Sequence, residues 1–294
     1  MLRSDRFLAY ALILPVVAAV LAFVVGPTYN VATLSLTQVV MGQERGFGTL
    51  GNFKALAADP VFGLVLKNTA IWILGGTVLC VSVGLAVGTF LAIDSRMTGW
   101  LRALILLPWV LPDVVTAMAW KWMLHGQVGI IGQTLQQTGL TEGTISFMGD
   151  PDLVMWMLVV VLIWRKMPLV ALILCAAIRA VPDDQVEAAR MDGANAIERF
   201  RFVTLPNIAF SLTAVTVISM IWITAEFALP WIMTGGGPAN ASQIMATYIY
   251  QQSFEFFNWG VASAMSVINL AMLVSIVALY LYVNRRSWAS EASK

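Results

Sequence analysis

Charge is what this chain has least of. Only 11% of its 294 residues are Asp, Glu, Lys or Arg, 59% are hydrophobic, and the mean hydropathy is +0.81. Soluble domains carry about 25% charged residues, so the composition predicts an integral membrane protein. The formal net charge of +1 is too small to gather nucleic acid as a partner. The chain has one histidine, His125, which excludes histidine-rich zinc sites and the H-E-x-x-H protease pattern, and no metal site is expected. Its two cysteines, Cys80 and Cys175, lie in apolar runs and read as small buried hydrophobes rather than a disulfide. The G-x-x-x-x-G-K-[ST] phosphate loop is also missing. The Gly235-Gly236-Gly237 run has no lysine behind it and reads as a turn. The chain is therefore not expected to hydrolyse nucleotide itself.

What is present is oily sequence in long runs. A membrane helix needs about 20 mostly apolar residues, and six runs qualify: approximately 8–34, 64–93, 101–123, 153–178, 208–233 and 261–283. The expected fold is an all-α membrane protein of six transmembrane helices in one domain. Pro15 and Pro27 are possible kinks in the first run. That run is longer than the apolar part of a signal peptide and is read as a retained helix.

Six spans place both ends on one side of the membrane. That side carries Arg3, Arg6, Arg96, Arg102, Arg179, Arg190, Arg199, Arg201, Arg285, Arg286 and Lys294. The other side carries Arg45, Lys54, Lys67 and Lys121. The positive-inside rule then predicts cytoplasmic termini. The three outer connections, about 35–63, 124–152 and 234–260, are too short for a soluble domain.

One segment breaks the pattern. Residues 182–206, between spans four and five, gather Asp184, Glu187, Arg190, Asp192, Glu198, Arg199 and Arg201 around a single glycine. Pro182 suits a first helical position, and the early acids suit the positive end of a helix dipole. Gly193 can take the left-handed conformation that closes a helix. Asn195 with Glu198 approximates a capping box for a second helix, and Pro206 ends the unit. Ile197, Phe200 and Val203 give that second helix an apolar side. Glu187 with Arg190, and Glu198 with Arg201, stand at a spacing that can pair. Such a helix-turn-helix is either a solvated or headgroup-embedded loop, or a docking knob for another protein. Ala188, Ala189, Ala194 and Ala196 keep it thin enough for close approach.

Within the spans, Arg165 and Lys166 lie about 12 residues into the fourth, roughly 18 Å deep at 1.5 Å per residue. Intramembrane charge is costly and usually faces protein or water. These two, with Trp164 beside them, either border a solute pathway or pair structurally with Glu226 in the fifth span. Neighbouring helical residues point about 100° apart, so both cations cannot enter one narrow pore. Glu226 reads as the one carboxylate clearly inside a span. Trp222, one turn before it, would add an indole face, a combination suited to a sugar. Asn269 in the sixth span either adds a hydrogen bond to the pathway or glues helices together. A lone carboxylate is thin support for the rival reading, an ion-coupled secondary transporter or channel. An intramembrane enzyme finds neither a histidine nor an aspartate pair within the spans.

The charged segment resembles a known motif. Glu187-Ala188-Ala189, Asp192-Gly193-Ala194, Phe200 and Thr204-Leu205-Pro206 resemble the EAA loop of bacterial ABC importer permeases, with Val203 where isoleucine is usual. The stretches 51–72, 107–140 and 233–266 are similar to the carbohydrate branch, of maltose and glycerol-phosphate type. Cys175-Ala176-Ala177-Ile178 departs from that branch's usual Leu-Ala-Gly-Leu. The resemblance implies an inner-membrane permease subunit that pairs with a second, homologous permease to form a pathway for a sugar-like solute. It implies two copies of a partner ATPase, which hold the ATP and Mg²⁺, and an extracytoplasmic solute-binding protein. It also implies that Glu187, Ala188, Ala189, Arg190, Asp192, Gly193, Ala194, Phe200 and Pro206 form the ATPase-coupling surface, with Glu187 pairing with a cation on the ATPase.

Overall fold

The structure is a computed structural model that describes residues 12–40, 43–141 and 143–289. Residues 8–11 of the expected first span, and Arg3, Arg6 and Lys294 from the orientation count, lie outside the described residues. In chain order the elements begin with α1 (Leu12–Ser35), β1 (Thr37–Val40), β2 (Gln43–Phe47), α2 (Gly51–Ala58) and α3 (Pro60–Ala92). Next come α4 (Arg96–Val110), α5 (Asp113–Met123), α6 (Ile130–Gln137) and α7 (Val154–Arg179). The last six are α8 (Asp183–Met191), α9 (Ala196–Asn207), α10 (Ala209–Thr224), α11 (Ala228–Thr234), α12 (Met245–Tyr250) and α13 (Trp259–Ala289). Four of these helices are long and apolar enough to cross a membrane: α1, α3, α7 and α13 up to Asn284. Among the described residues the only strands are β1 and β2, an antiparallel pair.

Two of the expected spans are not single helices. Residues 101–123 divide into α4 and α5, which meet at 92°. Pro112 is the cause: it disfavours helical geometry in the residue before it, and Leu111 is extended at φ −64°, ψ 137°. Residues 208–233 divide as well. Helix α10 stops at Thr224, and three residues pass before α11 begins at Ala228. At its other end α10 meets α9 at 72°.

The chain forms two compact units. The first comprises Met1–Gly63 and Tyr248–Ala271. In it Asn52 Nδ2 donates to the carbonyls of Ser35 and Thr37, both at 2.8 Å, and ties α2 to the end of α1. A Cβ on Gly260 would fall 2.8 Å from the same Asn52 nitrogen and from the Thr37 carbonyl, so only glycine lets the start of α13 come this close. Asp59 caps α3 by accepting from Val61 N at 2.8 Å, and its other oxygen accepts from Tyr248 Oη at 2.5 Å.

The second unit comprises Leu64–Thr247 and Met272–Lys294. Its core is the seam between α3 and α7, with Trp72, Ile73, Leu158, Leu162, Val170 and Leu174 buried. Glycines make the seam tight. A Cβ on Gly84 would lie 2.5 Å from Val170 Cγ1, and one on Gly88 would lie 2.7 Å from the Ala171 carbonyl. Small residues at such spacing let membrane helices pack backbone to backbone. Trp72 Nε1 donates to Ile223 O at 2.9 Å and fastens α10 to the same core.

Candidate functional site

Two places in the second unit bear on function. The first is the α8–α9 hairpin. Helix α8 starts one residue later than expected, with Pro182 as the flanking cap and Asp183 and Asp184 in the first turn. Gly193 closes it at φ +84°, and Ala194 N donates back to Ala189 O at 2.9 Å. Asn195 Oδ1 then accepts from Ile197 N and Glu198 N, at 2.9 and 3.0 Å, while Glu198 Oε2 accepts from Asn195 N at 2.7 Å. This reciprocal box satisfies backbone donors that a helix start leaves open.

The expected Glu187–Arg190 and Glu198–Arg201 ion pairs do not form. Among the described residues the ion pairs involve other side chains. The cap takes the Glu198 carboxylate, and Arg201 lies over the Phe202 ring at 5.5 Å. Pro206 sits inside the last turn of α9 rather than after it. Glu187, Ala188, Asp192 and Arg190 are exposed, Ala189, Ala194 and Phe200 half-buried. Met191 and Ile197 are 88% and 78% exposed, an apolar surface at the elbow.

The second place is a buried ion cluster. Arg165 and Lys166 project from α7, and their side chains converge on one carboxylate. Lys166 Nζ lies 2.7 Å from Glu226 Oε2, and Arg165 Nη1 lies 3.7 Å from the same oxygen. Arg165 Nη2 also pairs with Asp113 and donates to Leu111 O at 3.4 Å. Glu226, with its side chain 4% exposed, sits in the break between α10 and α11 and accepts from Leu229 N at 3.4 Å. Two cations and two carboxylates make the cluster neutral.

Sequence reasoning missed Asp113, although it lies within the expected third span. The signal was there, since an acid directly after Pro112 suits a helix start. Glu226 is therefore not the lone intramembrane carboxylate that the sequence suggested.

The remaining expected pathway residues fall differently. Trp164 packs edge-on against Trp120, with centroids 5.4 Å apart. Trp222 is exposed on α10. Because the helix ends at Thr224, the turn that would have stacked Trp222 and Glu226 on one face is interrupted. Asn269 belongs to the first unit, and its side-chain oxygen has no hydrogen-bond partner among the described residues. No cluster of three metal-ligating side chains occurs among the described residues.

A second feature was not legible in sequence. Asn68 Nδ2 donates to the carbonyls of Asn240, Ala241 and Gln243 at 3.1 to 3.3 Å. One side chain thus holds the connection that follows Gly235-Gly236-Gly237.

A hairpin between membrane helices, over a glycine-tight bundle broken at charged joints, points to a transport subunit. Residues 81–288 match the family described as binding-protein-dependent transport system inner membrane component. The chain belongs to that family. This permease is 32% identical to a probable ABC transporter permease protein of Brucella suis, over 97% of this chain and 99% of that one. It is 29% identical to the trehalose/maltose transport system permease protein of Thermococcus litoralis, over 95% and 94% of the two chains. Its fold matches, at a TM-score of 0.81 and 21% identity over 96% of each chain, a chain in the crystal structure of a bacterial ABC transporter that imports the acidic polysaccharide alginate. The permease is a multi-pass membrane subunit of an ABC importer.

Proposed function

We propose that this permease forms, with a second homologous permease, the pathway for a sugar or sugar derivative delivered by an extracytoplasmic solute-binding protein. Two copies of an ATPase drive it, each seating one permease hairpin, and both termini of this chain face the cytoplasm. The observation that carries the reading is the elbow at Gly193. Its φ of +84° and the reciprocal cap behind it make a stiff two-helix unit. Met191 and Ile197, exposed upon it, are what a protein partner covers. Glu187 stands exposed beside them, free to meet a cation on the ATPase.

The sugar class rests on the trehalose/maltose relative. The neutral cluster of Arg165, Lys166, Asp113 and Glu226 supports a pathway lined by internally balanced charge, where a solute meets hydrogen-bonding groups rather than a net field. A free guanidinium or ammonium aimed at an anionic solute is not what this pairing offers.

The test is co-expression of this chain with its neighbouring transport subunits, followed by purification and solute uptake in proteoliposomes. A stable complex with two ATPase copies and a second permease is expected. Gly193→Pro should abolish ATP-driven uptake, with subunit assembly measured separately. Uptake by this chain alone on an ion gradient would overturn the reading.

A further inference from the structure

We infer that the cavity between the hairpin and the helix ends above it is a binding site for a phosphate group. The cavity holds about 570 Å³ and is bounded by the end of α3, the end of α7 and both helices of the hairpin. Three guanidinium side chains line it: Arg179, Arg190 and Arg199. Their pairing is what makes the site distinctive. Arg179 is matched by Asp94 at 3.5 Å. Arg190 forms no ion pair among the described residues, Glu187 included. Arg199 spends one nitrogen on a neutral acceptor, the Ala194 carbonyl at 2.7 Å. Asp183 is the second acid on the wall, which leaves three cations facing two carboxylates.

The end of α3 adds little opposing charge, because Arg102 already covers the Leu91 carbonyl at 2.7 and 3.0 Å. Thr89 and Thr204 add hydroxyls, and Ile93, Ile178 and Phe200 add apolar wall. Guanidinium forks match phosphate oxygens in pairs. Basic pockets where membrane helices end are where phospholipid headgroups bind. Phosphate is thus the shared chemistry, and its source is either a phospholipid of the adjacent leaflet or a soluble phosphate compound. A site here touches the hairpin itself, so its occupancy would tune the elbow's angle. That role is separate from solute passage and does not depend on which solute is carried.

The experiment uses the purified transporter complex in detergent. In one arm, native mass spectrometry compares retention of phosphatidylglycerol with that of a phosphate-free galactosyl diacylglycerol. In the other, calorimetry measures binding of inorganic phosphate and glycerol phosphate. Arg190 is exposed and forms no ion pair among the described residues, so Arg190→Gln is expected to leave the fold intact. It is expected to weaken the phosphate ligand about tenfold, the scale of one charge-assisted bond, with Arg190→Lys in between. Retention of the phospholipid alone assigns the lipid source, and binding of the soluble anions alone assigns the other. No preference over the galactolipid together with no anion binding would overturn the site. So would affinities unchanged in Arg190→Gln, or a loss of ATPase subunits in that variant with phosphate binding unaffected.

Discussion

Lys166 and Glu226 meet at 2.7 Å inside the bundle, and the same carboxylate oxygen stands 3.7 Å from Arg165. Glu226 is thus the shared partner of two cations. Removing one member of a buried ion network leaves an uncompensated charge and costs about 3–5 kcal/mol. Glu226→Gln is expected to lower the thermal unfolding midpoint of the purified protein accordingly. Lys166→Met combined with Glu226→Gln leaves Arg165 with Asp113 and should recover most of the loss. Strictly additive losses in the double variant would show that the pair is not coupled.

The α3–α7 seam makes a second prediction. Gly88→Leu drives carbon into the Ala171 carbonyl, 2.7 Å from where its Cβ must sit. Overpacking of this kind costs about 1–3 kcal/mol, to be read from denaturation of the detergent-solubilised protein. Gly99→Ala is the control. Nothing lies within 4 Å of a Cβ there, and the substitution should stay within about 0.5 kcal/mol of the parent.

The elbow can be tested by conformation alone. A Cβ on Gly193 also meets nothing within 4 Å, yet its φ is +84°. Left-handed geometry costs most residues about 1–2 kcal/mol, and asparagine visits it more readily. Gly193→Asn should therefore retain ATP-driven uptake that Gly193→Val loses, with equal amounts of assembled complex in both. Equal uptake by the two variants would show that the left-handed turn is dispensable.

Tyr248 makes a pH prediction in a segment outside the membrane helices. Its phenol is pushed up to about 12, chiefly by burial and then by the hydrogen bond it donates to Asp59. The folded chain therefore holds this proton more tightly than the unfolded chain, whose phenol titrates near 10. The stabilisation is complete below about pH 10 and is lost as pH rises toward 12. Thermal unfolding followed from pH 9 to 12 should steepen in that window, and Tyr248→Phe should flatten it.

The hairpin was largely legible from sequence because its determinants are local. Gly193 closes one helix, and Asn195 with Glu198 opens the next, all within a few residues. The apolar runs were legible for the same reason, since each is long enough to declare itself. Their interruptions were less so. The break at Leu111 follows from Pro112, which local chemistry could have foretold. The break around Glu226 has no proline or glycine within it, and its carboxylate is held by cations some sixty residues earlier in the chain. The tether from Asn68 to residues 240–243 is longer still. The Glu187–Arg190 pair fails for the opposite reason. Spacing permits it, but an exposed ion pair is worth too little to fix two long side chains.

Arg165 reaches both interrupted helices at once. It bonds Leu111 O and Asp113 at one discontinuity and stands against Glu226 at the other. Backbone that leaves helical geometry at membrane depth survives only where protein encloses it, and here a single side chain serves two such points. Any rearrangement that re-aims α5 must therefore be felt by α11, so the two joints move as one mechanical element.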